Sequence, residues 1–215
     1  MRNLVVPFAL CLCVLGCSSL ILNKKEVQGE LENNIVTDNI QSDVLEQDSL
    51  IEWDKNSKLK WDYFQGIPDS LSGHSAITCT KTPFNNFTVY DDSVVMDLPC
   101  YFMFNCSWKL TTSNSVLNHE QGHFHIAEIV SRKMRKAISN HISIDNDAST
   151  KFYQSVVDEY YFGLKSSLNG QYDKETNHGT NPEVQKRWDV KIAKMLQELE
   201  VYSSPHVVVK RKIIK

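Results

Sequence analysis

"SVLNHEQGHFHIAEIVSRKMRKAISN", residues 115–140, marks the place where the chain changes period. Apolar residues at Val116, Leu117, Ile126, Ala127, Val130 and Met134 recur at helical spacing, with Ser113 or Ser115 as the N-cap, so the segment reads as one long helix ending near Asn140. With His119 set to 0° and about 100° per residue, His123 falls at about 40° and Glu120 at about 100°. The two imidazoles therefore share a face one turn apart. This His-Glu-x-x-His (HExxH) spacing lets both rings reach one Zn2+ while Glu120 points beside the metal. Val116, Ile126 and Val130 lie on the same side as an apolar wall, which excludes water and strengthens charge interactions. His125 and Glu128 fall on the opposite side and cannot complete the site without unwinding the helix.

Upstream, "LIEW", "KLKWDYF", "SGHSAITCTKT", "NFTVYDDSVVMDL" and "CYFMFNCSWKL" are rich in β-branched and aromatic residues and separated by Pro, Gly and Asn turns. They predict four or five strands, mostly antiparallel, because the links are too short for crossovers. Downstream, Phe152, Val156, Tyr160, Leu164 and Leu168 define a second helix, Asp147 to Leu168, that stops at Asn169-Gly170. A third starts where Asn181 caps and Pro182 takes the first turn. "HVVVKRKII" is either an edge strand or a basic tail. Strands followed by helices define an α+β class: a small, mostly antiparallel N-terminal sheet, then three helices, with HExxH on the first.

The 215 residues, 41% hydrophobic and 23% charged, suit a single folded domain, placed at residues 51–215. A formal charge of -3 gives no basic field and argues against a nucleic-acid partner. Residues 1–16 read as a secretory signal, one arginine before an apolar run too short to span a bilayer. "VLGC" resembles a bacterial lipobox, which makes Cys17 the lipidated residue and a membrane the partner of the N-terminus. Residues 17–50, without an aromatic, read as a flexible tether with a reach of roughly 30 Å. The expected location is the cell envelope, lipid-anchored, or otherwise secreted. Cys79, Cys100 and Cys106 then allow at most one internal disulfide. On one straight strand Cys100 and Cys106 would lie about 20 Å apart, beyond the roughly 7 Å limit for a bridge. A pair using Cys79, or reduced buried thiols, are the two readings left.

A catalytic zinc needs a third protein ligand. His178 is preferred, because a neutral imidazole is a good zinc donor and Gly179 lets the backbone approach closely. Asp173 is then an orienting group, and Asp173 or Glu159 remain alternative ligands. Together "HEQGHFHIAEI", "SWKL", "LKWDYFQGIP" and "YDKETNHG" resemble a bacterial family of secreted zinc-dependent proteases, the domain of unknown function 922 family, over roughly residues 51–200. His125 stands where that family carries an aspartate. The resemblance implies a zincin-like metallopeptidase. The residues themselves predict hydrolysis of a peptide bond in a peptide or protein substrate, with Zn2+ on His119, His123 and His178 and Glu120 as general base. Tyr172 is a candidate oxyanion donor. The rival from another class is a non-catalytic binding lipoprotein on the same scaffold.

Overall fold

The computed structural model describes residues 49–143 and 146–212, with backbone only for 146–150. The expected signal, Cys17 as the expected lipidation site and all but the last two residues of the expected tether lie outside the described residues. Seven short strands precede the first helix: β1 (Leu50–Glu52), β2 (Ala76–Ile77), β3 (Thr80–Lys81), β4 (Asn85–Val89), β5 (Ser93–Asp97), β6 (Tyr101–Met103) and β7 (Trp108–Lys109). Then come α1 (Asn114–Ser139), β8 (Ile142–Ser143), α2 (Asn146–Val156), a π-helical segment (Val157–Leu164), α3 (Lys165–Thr176), α4 (Pro182–Glu198) and β9 (His206–Arg211). The α+β architecture, with an antiparallel strand region before three long helical stretches, is as the sequence pattern predicts. Among the described residues no helix is long and apolar enough to cross a membrane.

The strands form three small sheets, ordered β1-β6-β3, β2-β7 and β4-β5-β9-β8. Every pairing is antiparallel except β8 with β9. β9 is therefore an interior strand, which corrects the expectation of an edge strand or tail. Its register explains why: Val209 faces Val94 and Val207 faces Met96, so the buried positions of both strands fall on one face. "KLKWDYF" is also not a strand. Trp61–Tyr63 is a single 3-10 turn, and the aromatics pack separately, Trp61 on Phe64 and Tyr63 stacked on Phe104.

α1 lies at the centre, touching each of three apolar clusters. Phe124 and Ala127 meet Leu59, Phe64 and Phe102; Val130, Met134 and Ile138 meet β5 and β9; Ile126 and Ile129 meet Tyr172, Trp188 and Ile192. A helix enclosed in this way is held by burial on nearly all sides rather than by one stripe.

The second helical stretch departs from expectation in two ways. A strict four-residue apolar repeat drifts by about 40° per step on an α-helix. The π-helical segment absorbs the excess, with Lys165 N–H reaching back to the Tyr160 carbonyl. The helix also does not stop at Asn169-Gly170 but continues to Thr176, where Asn177 ends it in the left-handed conformation (φ 50°). Gly170 is exposed and costs a helix interior about 1 kcal/mol, less than the contacts made by the turns beyond it. At α4 the predicted cap is present, with Asn181 Oδ1 accepting from Val184 N–H at 3.2 Å.

Candidate metal centre

α1 and α3 cross so that four residues of α3 face the HExxH turn. Asn169, Tyr172, Asp173 and Thr176 stand at i, i+3, i+4 and i+7, one helical face. Asp173 Oδ1 lies 3.0 Å from His119 Nε2 and 3.0 Å from His123 Nε2, and the two Nε2 atoms are 3.2 Å apart. His119 is buried, His123 and Asp173 partly so, and all three line a cleft with Glu120, Asn169, His178 and the chain from His74 to Thr78.

The far side of each ring fixes which nitrogen carries its proton. Gln185 Nε2 donates to the Tyr172 hydroxyl at 2.6 Å and to Asp189 Oδ1 at 2.8 Å, which turns Gln185 Oε1 toward His119 Nδ1 at 3.2 Å. His119 therefore donates from Nδ1 and presents a bare lone pair at Nε2. His123 Nδ1 likewise meets Asn169 Oδ1 at 2.9 Å. Two imidazole nitrogens and a carboxylate oxygen thus converge within hydrogen-bonding distance. Such a group could hold a metal ion. Against His123, burial disfavours the charged ring, but Asp173, Glu120 and Asn169 outweigh it and its pKa is raised. Burial of Asp173 is likewise outweighed by its hydrogen bonds to the two histidines, which hold its carboxyl well below the usual range.

His178, preferred from the sequence as third ligand, lies outside this triangle. Its Nδ1 is 3.9 Å from Asp173 Oδ1, its side chain is 54% exposed, and its ring stands edge-on to His74 at the rim of the cleft. Glu159 is exposed on the π-helical segment and does not line the cleft. Tyr172 cannot serve as an oxyanion donor. It is fully buried, stacks on His119 at 4.5 Å, and donates its hydroxyl to the His119 carbonyl at 3.2 Å. Gly122 makes that approach possible, since a Cβ there would stand 2.2 Å from the Tyr172 hydroxyl oxygen. Gly179, with φ at 76°, does the same for His119: its Cβ would stand 2.7 Å from the histidine's own.

Glu120 is buried beside the triangle. The Thr78 hydroxyl donates to its Oε2 at 2.7 Å, a partner that no local pattern announces because 42 residues separate the two. His125, on the far side of α1, accepts from Trp53 Nε1–H at 2.9 Å. No family model, curated protein or solved structure matches the chain.

Proposed function

We propose that the protein is a zincin-like zinc-dependent peptidase, with His119, His123 and Asp173 as the metal ligands and Glu120 as general base. The observation that carries this reading is the triangle formed by two imidazole nitrogens and a carboxylate oxygen, with edges of 3.0, 3.0 and 3.2 Å. A tetrahedral zinc with bonds of about 2.0–2.1 Å has ligand-to-ligand edges of about 3.3 Å, so the donor set fits with shifts of a few tenths of an ångström. Two imidazoles and one carboxylate, open to a cleft on one side, match the donor count of a catalytic rather than a structural site.

When bound, Zn2+ supplies Lewis acidity toward a carbonyl oxygen and acidifies water. The protein supplies the rest. Thr78 anchors Oε2 of Glu120, which leaves the carboxylate oriented to take a proton at Oε1 on the cleft side and return it to the leaving amine. Gln185, Tyr172 and Asn169 hold the two imidazoles in the metal-binding tautomer. The wall from His74 to Thr78 includes strand β2, against which an extended peptide can lie by strand addition. Anchoring to the cell envelope through Cys17, and the likeness to the domain of unknown function 922 family, belong to the same reading and rest on the sequence.

Glu120→Gln is the decisive variant. It should retain one zinc per chain and lose hydrolysis of unfolded polypeptide substrates. Undiminished hydrolysis in this variant would remove Glu120 from the mechanism. Zinc bound by a wild-type chain that hydrolyses no peptide would favour the binding lipoprotein instead.

A further inference from the structure

Three cysteines and one lysine converge near the cleft wall, and the metal cluster uses none of them. Lys165 follows the π-helical segment, with Nζ donating to the Thr80 carbonyl at 3.2 Å and lying 4.2 Å from the centre of the Tyr161 ring. Burial brings its pKa down to about 8, and the groups whose charge acts on it are Cys100, Cys79 and Cys106. The thiols of Cys79 and Cys106 hydrogen-bond to each other. Backbone contacts build this meeting. Met103 N–H donates to the Cys79 carbonyl at 3.0 Å, Cys79 N–H donates to Ser107 Oγ at 3.0 Å, and Ser107 Oγ–H donates to the Met103 carbonyl at 2.6 Å. β6, which begins just after Cys100, ends at Met103 and the chain turns back, so Cys106 returns toward Cys79.

The strand register excludes the other partner. Thr80 pairs with Phe102 and Lys81 with Tyr101, which places Cys100 opposite Thr82. That is three residues from Cys79, about 10 Å at roughly 3.3 Å per residue, beyond the limit of about 7 Å for a bridge. Cys100 is also fully buried, whereas Cys79 and Cys106 are partly exposed.

We propose that Cys79 and Cys106 form a thiol–disulfide exchange site whose oxidised state is a Cys79–Cys106 disulfide fastening the Thr78 segment to the turn between β6 and β7. Cys79 S–H donates to Cys106 Sγ, and this bond, with help from Lys165 and Lys81, holds the Cys106 pKa below that of an ordinary thiol; the same bond raises that of Cys79. Cys106 thiolate attacks one sulfur of a dialkyl disulfide such as oxidised glutathione, forming a mixed disulfide as one glutathione thiolate departs. Cys79 gives its proton to that thiolate, its Sγ attacks Cys106 Sγ, and the second glutathione leaves as a thiolate that takes up from solvent the proton Cys106 released on ionising. Two protein thiols lose two electrons and one glutathione disulfide becomes two thiols. Thr78, the residue before Cys79, holds Glu120, so the bridge restrains the neighbour of the general base. The exchange itself depends on neither a metal nor hydrolysis.

The test is exchange on the full native chain. Reduced protein is incubated with oxidised glutathione, residual thiols are alkylated with iodoacetamide, and the chain is digested without reductant by a protease that cuts at Tyr101, Phe102 and Phe104. Cys100 and Cys106 then leave on separate peptides. The expected products are a linked Cys79–Cys106 peptide with Cys100 unlinked, and, in Cys79→Ser, arrest at a Cys106–glutathione adduct. Two alkylated cysteines at 79 and 106 after prolonged exposure, in a wild-type chain shown to be folded by circular dichroism, would overturn the proposal. So would a linkage through Cys100.

Discussion

Replacing Gly122 by alanine tests whether the helix that carries Asp173 lies where the site needs it. The added methyl would stand 2.2 Å from the Tyr172 hydroxyl and 2.7 Å from Cζ of its ring. Ordinary contact begins near 3.4 Å, so the ring must retreat by about 1 Å. It has no free space: Tyr172 is fully buried against Ile126, Ile129, Trp188 and Ile192. Overpacking of this kind costs about 1–3 kcal/mol. Displacing the hydroxyl weakens its two hydrogen bonds, to the His119 carbonyl and from Gln185, at about 1 kcal/mol each. Against this, glycine to alanine within a helix returns about 1 kcal/mol. The net is a destabilisation of about 2–4 kcal/mol, read by urea unfolding or as a fall in Tm of roughly 2–4 °C per kcal/mol. Zinc affinity should fall about 10–100-fold as His119 loses its support. Adding Tyr172→Leu should relieve part of the strain, so that the double variant is less destabilised than the two single changes together. If Gly122→Ala is instead as stable as the wild type or more so, Tyr172 does not pack on α1, and the placement of Asp173 beside the histidines loses its physical basis.

Asp173→Asn should weaken zinc binding by more than the roughly 10–100-fold typical of residues that only support a ligand, and His178→Ala by less; titration with a zinc-competing dye compares them, and the reverse order would restore His178 as third ligand. His125 is held neutral by burial, then by the charge of Lys58, with its pKa lowered to about 4. Its unfolded value is near 6.5, so the stability it carries is complete above that pH and is lost as pH falls toward 4, by about 2 kcal/mol between pH 7 and 5. Urea unfolding at the two pH values should show this slope in the wild type and a much smaller one in His125→Gln. Glu128→Ala leaves buried Arg135 without its carboxylate and Arg132 with only the exposed Glu200, and should cost about 3–5 kcal/mol. A loss below 1 kcal/mol in the unfolding midpoint analysis would place that network in solvent.

His119, His123 and Glu120 were legible because their relative directions depend only on the rotation of one helix. Asp173 belongs to an equally regular pattern, Asn169, Tyr172, Asp173 and Thr176, but three of its four members are polar. The face they form meets imidazoles in place of a core, so a reading based on hydrophobic recurrence ends at Asn169-Gly170, where the apolar run ends. The four strands of the interior sheet behave in a related way. β5 and β9 bury alternate residues and follow the period of two, yet the central position of β9 depends on β8 and β5 flanking it, which is a tertiary fact. β2, β3 and β7 have two residues each, too few to carry any period; pairing alone defines them. Thr78 and Gln185 reach the site from 42 and 66 residues away along the chain, and no local spacing encodes such contacts.

The face of α1 turned away from the histidines is also interior, and this bears on how the site keeps its shape. Glu128 accepts from Arg132 Nε and from Arg135 at 2.9 Å each. Further guanidinium hydrogens bond the carbonyls of Leu98, Leu196, Tyr202 and Ser203 and the Glu200 carboxylate. A helix enclosed by apolar clusters can slide or rotate among near-equivalent packings, because dispersion contacts are weakly directional. Buried charges are not interchangeable in this way, since a small rotation would leave an ion without its partner. The network thus fixes the rotation of α1 from its C-terminal half. At the other end the same rotation sets where His119 and His123 point, and a misplacement of about 1 Å is enough to spoil a metal or catalytic geometry. Polar residues placed deep on both sides of one helix are accounted for together: one group orients the site, and the other holds the helix that carries it.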